Sequence, residues 1–104
     1  MFALSINRNM KHGILLHEHD DDVGVAVTDL RKGSTVGAVT LEGKAAGKVR
    51  LVNNVPLGHK VAMRDVAKDS KVIKYGRPVG KAVQEIAKGM HVHIHNLKTS
   101  RWSI

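Results

Sequence analysis

The chain repeats itself, and the repeating unit is a bend. Val25-Ala26-Val27-Thr28-Asp29-Leu30-Arg31-Lys32-Gly33-Ser34-Thr35-Val36 returns as Val61-Ala62-Met63-Arg64-Asp65-Val66-Ala67-Lys68-Asp69-Ser70-Lys71-Val72. It returns more loosely as Lys81-Ala82-Val83-Gln84-Glu85-Ile86-Ala87-Lys88-Gly89-Met90-His91-Val92. Each copy passes from apolar strand residues through an acid, an apolar residue, a lysine and a turn residue into a second strand. An acid placed there suits the cap of one short helical turn, and Leu30, Val66 or Ile86 suits a core plug. Gly33, Asp69 or Gly89 suits the left-handed residue that ends the turn. Asp29, Asp65 and Glu85 therefore read as caps, not catalysts, and single-turn helices are expected near them.

Between the copies lie short strands and turns. Thr35 to Leu41 and Lys48 to Val52 bracket Glu42-Gly43-Lys44-Ala45-Ala46-Gly47, a glycine-bounded hairpin loop. Val72-Ile73-Lys74-Tyr75 reads as a strand closed by Gly76-Arg77-Pro78-Val79-Gly80, where proline and two glycines oppose regular continuation. No stretch keeps a helical apolar period over three turns. The expected fold class is all-β, with one-turn helices at the strand corners.

A chain of 104 residues is one domain, with room for a core but too small to enclose a polar substrate unaided, so a partner is expected. Residues 1–42 hold four Lys/Arg against six Asp/Glu, and residues 43–104 hold thirteen against three, so the second half carries the whole positive excess. That asymmetry points to a small anionic ligand or an acidic partner. Phe2, Tyr75 and Trp102 are the only aromatic residues, too few for a base-stacking platform, and the cations are dispersed singly as on a solvated face; nucleic acid is not expected. No apolar run approaches the roughly 20 residues of a membrane span. The stretch Met1 to Asn9 is too short and polar for a secretory signal, and Met10 is an equally good start. The lack of cysteine suits a reducing, cytoplasmic setting and removes thiolate metal ligands.

Chemistry concentrates in histidine. In Gly89-Met90-His91-Val92-His93-Ile94-His95-Asn96, strand alternation puts three imidazoles on one face and Val92 and Ile94 on the other. Neighbours on such a face stand about 7 Å apart, so all three cannot meet at one ion without a bend. A pair completed by His17 or His59 is the metal-site expectation, with His17, His93 and His95 the candidate set and His59 expected to meet the histidine strand if the repeats pack side by side; the competing reading is a polar face packed on a partner. His59-Lys60 follows the turn Pro56-Leu57-Gly58, where His59 can exchange a proton and Lys60 can meet a carboxylate or sulfonate. These two are the candidate catalytic residues. Lys74 and Tyr75, at the mouth of the Gly-Pro-Gly turn, and Asn96 are the candidate substrate contacts. Glu18, Asp20, Asp21 and Asp22 beside His17 and His19 read as a solvated loop before they read as a ligand set.

The runs Pro56-Leu57-Gly58-His59-Lys60-Val61-Ala62, Val72-Ile73-Lys74-Tyr75-Gly76 with Val79-Gly80, and Gly89 to Asn96 with Leu97-Lys98-Thr99 resemble the SAF domain of the altronate and galactarate dehydratases. The likeness extends from about Leu15 to Trp102, giving a division into an N-terminal extension, 1–12, and a SAF domain, 13–102. It implies a β-clip fold, a much larger partner subunit or domain, assembly into an oligomer, and ferrous iron (Fe2+) held mainly by that partner. It also implies a lyase reaction that eliminates a group β to the carboxylate of a 2-hydroxy acid. The spacing in His17-Glu18-His19-Asp20-Asp21-Asp22-Val23-Gly24 and the ending Asn96-Leu97-Lys98-Thr99-Ser100-Arg101-Trp102 look more like the small subunit of sulfolactate sulfo-lyase, so loss of water and loss of sulfite both stay open. The alternative is a stand-alone β-clip module that binds a small acidic ligand without turnover.

Overall fold

Four corners of one design, not three, organise the chain. The computed structural model describes residues 9–99; the stretch 1–8 of the N-terminal extension and residues 100–102 at the end of the expected domain lie outside them. Among the described residues there are nine short strands and no helix: β1 (Asn9–Leu16), β2 (Val23–Ala26), β3 (Thr35–Thr40), β4 (Ala45–Arg50), β5 (Lys60–Ala62), β6 (Lys71–Lys74), β7 (Arg77–Ala82), β8 (His91–Val92) and β9 (Leu97–Thr99). The all-β expectation holds. The single-turn helices do not form, because each repeat closes with one β-turn instead.

The turns share their geometry. A backbone bond spans each one, from Ser34 to Arg31, His59 to Pro56, Ser70 to Ala67 and Met90 to Ala87, with the later residue's N–H donating. The third turn position has positive φ in all four: 89° at Gly33, 86° at Gly58, 73° at Asp69 and 91° at Gly89, as a type II turn requires. The second corner in chain order, Asn54-Val55-Pro56-Leu57-Gly58, escaped the sequence repeat because its acid is an asparagine and its lysine a leucine.

Corners work in pairs. Leu30 and Val55 exchange both backbone N–H···O=C bonds, and so do Val66 and Ile86. The capping side chains cross over: Asp29 Oδ1 accepts from Leu57 N–H and Asn54 Oδ1 from Lys32 N–H, while Asp65 Oδ1 accepts from Lys88 N–H and Glu85 Oε2 from Lys68 N–H. The acids are caps, as expected, but each caps its partner's turn and not its own. The plugs Leu30 and Val55 enter one apolar cluster with Ile14, Leu16 and Val36; Val66 and Ile86 enter a second with Val23, Val72 and Val92. Burying such a side chain stabilises the fold by roughly 1.5–3 kcal/mol, so each corner is anchored by its plug as much as by its hydrogen bonds.

The strands complete a six-stranded sheet, ordered β4-β3-β1-β2-β5-β8, and a three-stranded sheet, β6-β7-β9. β5 joins the two cores, since Val61 faces the first cluster and Ala62 the second. Where irregular chain was expected after Tyr75, β7 forms a hairpin with β6 and tolerates Pro78 through a register shift between Val72 and Ile73. The expected β3–β4 hairpin forms, but with a tighter loop: β4 begins at Ala45, so Ala45-Ala46-Gly47 belong to the strand and not to the loop.

Two corner glycines separate backbone strain from crowding. A Cβ on Gly33 would meet nothing within 4 Å, whereas one on Gly89 would run into the carbonyl oxygen of Arg50. Gly33→Ala is expected to cost about 1–2 kcal/mol from the left-handed backbone alone, and Gly89→Ala about 1–3 kcal/mol beyond that. Urea unfolding of both variants checks this; equal losses would contradict the crossed arrangement around Gly89.

Candidate functional site

The second and fourth corners deliver their histidines to one place. β5 and β8 are antiparallel with Lys60 opposite Val92 and Val61 opposite His91, so the next step of the register sets His59 across from His93. Their rings stack with centroids 4.3 Å apart, and His59 Nδ1 lies 2.8 Å from His91 Nε2. The ring of His95 is 5.3 Å from that of His91. Among the described residues, His59, His91 and His93 are the one trio of His, Asp or Glu whose ligand atoms all lie within 4.8 Å of one another.

The histidine segment is less of a strand than alternation implied. β8 ends at Val92, and residues 93–96 turn, leaving Ile94 81% exposed instead of facing the core. That turn supplies the bend a straight strand lacks. Asn96 makes it: the buried side chain accepts from His93 N–H at 2.9 Å through Oδ1 and donates to His91 O at 2.8 Å through Nδ2. Both ends of the amide are spent on backbone, so the residue expected to touch substrate instead positions the imidazoles. His91 N–H in turn donates to Asn53 Oδ1.

Electrostatics favour neutral rings. His91 and His93 are both pulled below the ordinary imidazole value; for each, lost solvation comes first and repulsion from His59 second, with Lys60 and His95 adding to it at His93. A folded value below the unfolded one means that the unfolded chain binds more protons. The contribution of His91 and His93 to stability is therefore intact above the ordinary value of about 6.5 and drains away as pH falls below it.

The other candidates gather elsewhere. His17 does not join His93 and His95; its ring meets Tyr75 edge-on at 4.5 Å. Lys74 is buried, with Nζ 3.4 Å from the centre of the Tyr75 ring, so its charge is met by an aromatic face. Asp21, 1% exposed, accepts from the N–H groups of Glu18, Tyr75 and Gly76, and Asp22 accepts from Ile73 N–H. Asp21 and Asp22 thus tie the β1–β2 connection to the β6–β7 hairpin, while Asp20 remains in solvent. The sequence reading left His91 out of its metal set; recognising Asn54-Val55-Pro56-Leu57-Gly58 as a corner would have fixed the register that brings it to His59.

Asn96→Ala removes both backbone bonds and leaves a buried N–H and C=O unpaired, at about 1–3 kcal/mol each if water does not enter. The expected result is a less stable chain with histidine ring resonances of 91 and 93 averaged by motion. Unchanged ring resonances would show that the turn holds without Asn96.

Residues 11–100 match the model of the altronate/galactarate dehydratase SAF domain. The (2R)-sulfolactate sulfo-lyase subunit alpha of Chromohalobacter salexigens is 38% identical over 94 residues, covering 89% of this chain and 100% of that protein. The altronate dehydratase of Escherichia coli is 44% identical over 80 residues, covering 77% of this chain but 15% of that longer one, and that of Bacillus subtilis is 33% identical over 91 residues. On a match that takes in both corner pairs and every histidine of the cluster, the chain belongs to the altronate/galactarate dehydratase SAF-domain family.

Proposed function

We propose that the chain is the small subunit of a lyase that performs β-elimination on a 2-hydroxy acid, working with a larger partner subunit. The observation that carries this reading is the convergence of His59, His91 and His93, with the charge of Lys60 felt at His93, at an edge where Ile94 and His95 lie open. The match over the full length of a sulfo-lyase subunit supports it, and the chain's correspondence to only 15% of an altronate dehydratase indicates how much larger the remainder of such an enzyme is.

The site's chemistry follows from its groups. Lys60 offers a positive charge to the carboxylate or sulfonate of the substrate. A neutral imidazole of the cluster accepts the proton α to the carboxylate, and the group on the β carbon departs with its bonding electrons, either as sulfite or as a hydroxyl that becomes water by taking up a proton from the imidazolium so formed. The enol left behind becomes a 2-oxo acid. Ferrous iron, which the family resemblance implies, would supply Lewis-acid polarisation of the hydroxyl and carboxylate oxygens, and uncharged imidazole donors suit such an ion. Asn96 and the crossed corner caps hold the rings in place. The partner must exclude water, because a shallow surface cluster cannot bury a sugar acid or sulfolactate.

Two outcomes are expected. The purified chain alone should show no turnover of sulfolactate, altronate or galactarate, and co-expression with a larger lyase subunit should restore it on one of them. Activity from the chain alone would contradict the division of labour; binding without turnover in the assembly would favour a ligand-binding module. In the active assembly, His59→Ala should lower kcat/KM by about 100-fold or more, with stability within about 0.5 kcal/mol of the parent. A pull-down on the same variant separates lost chemistry from lost subunit binding.

A further inference from the structure

We infer that His59, His91 and His93 form a binding site for one divalent first-row transition-metal ion within this chain itself, so that the small subunit brings metal ligands of its own. The inference deepens the lyase reading in assigning what these rings hold, yet ion binding by the chain does not depend on that reading.

Geometry carries it. Three imidazole ligand atoms lie within 4.8 Å of one another, and the nearest pair, His59 Nδ1 and His91 Nε2, is already bridged at 2.8 Å. Two nitrogens that share one proton can share one metal ion if they part slightly. With metal–nitrogen bonds of about 2.0–2.1 Å in tetrahedral geometry, ligand nitrogens sit roughly 3.3 Å apart. The nearest pair must therefore open by about half an ångström and the widest must close, movements that partly exposed rings make by rotation about their side-chain bonds. The backbone beneath them stays fixed by β5–β8 pairing, by Asn96 and by Asn53.

Donor chemistry narrows the ion. The trio contains no carboxylate, which argues against calcium and magnesium, and neutral imidazoles suit zinc, cobalt, nickel and iron. Three protein ligands leave a coordination position open to water or to a substrate oxygen, the pattern of catalytic and not structural centres. His95, with its ring 5.3 Å from that of His91, remains outside the trio and is the imidazole left to carry a proton. His17 is excluded by its packing against Tyr75.

The test uses untagged chain, free of chelators, titrated with cobalt(II) at pH 7.5. The expected result is one cobalt per chain, with visible absorption bands that zinc abolishes and paramagnetic broadening of the ring signals of His59, His91 and His93. His59→Ala and His93→Ala should each weaken binding at least tenfold while keeping the parent's circular dichroism; His17→Ala should bind within twofold of the parent. Absence of saturable binding below millimolar cobalt, or His59→Ala and His93→Ala variants that bind as the parent does, would overturn the inference. Turnover is measured separately on the assembly with the larger subunit, so that a chain that binds no cobalt in an active enzyme sinks the metal site alone, and a chain that binds it in an inactive one sinks the lyase reading alone.

Discussion

Everything in this small domain hangs on the reciprocal pairing of β-turns. A turn in isolation leaves its N–H groups to water and buries almost nothing. Two turns set face to face exchange backbone bonds at Leu30 and Val55 or at Val66 and Ile86, lend each other a side-chain cap, and drive two plugs into a shared core. The left-handed residue of each turn is drawn in as well, its N–H donating to the carbonyl of Leu51, Ala26, Ala82 or Ala62. Without the pairing, strands of two to eight residues would have little to fix their register.

The site is a consequence of that register. β5 leaves the second corner and β8 leaves the fourth, and their antiparallel pairing sets His59 opposite His93 with His91 one step along the same face. No single segment could assemble this cluster, since neighbours on a straight strand face stand too far apart to share an ion or a proton. The rings crowd one another, so protonation of one discourages protonation of the next, and lone pairs are what the site has to offer.

Much of this was legible in the residues and some was not, for physical reasons. The three corners with an acid at the cap position were plain, and Asp69 was correctly placed in the left-handed conformation that its two glycine counterparts adopt more readily. A carboxylate one position before an apolar plug does not reveal which turn it caps; long-range partners such as Lys88 for Asp65 exist only once the chain is folded, which is why local helical caps were expected. Asn54 hid the second corner because an amide caps as well as an acid. Alternation placed His91 and Val92 correctly and failed at Ile94, where Asn96 turns the chain. Pro78 suggested a break, yet it sits in a strand at a register shift, the kind of place that spares a proline its missing donor. Lys74 read as an anion contact; its Nζ lies over the face of the neighbouring Tyr75 ring, a placement that only the folded chain shows.

The central claim is that folding delivers a coupled, proton-poor imidazole cluster. Titration of the histidine ring nitrogens by 15N NMR, on the chain and on its His59→Ala variant, tests it most directly. His91 and His93 should titrate below the ordinary value near 6.5, and both should move up toward it when His59 and its repulsion are removed. Values at or above the ordinary one, unmoved by the substitution, would show that the rings do not sense one another and that the corners build no such site.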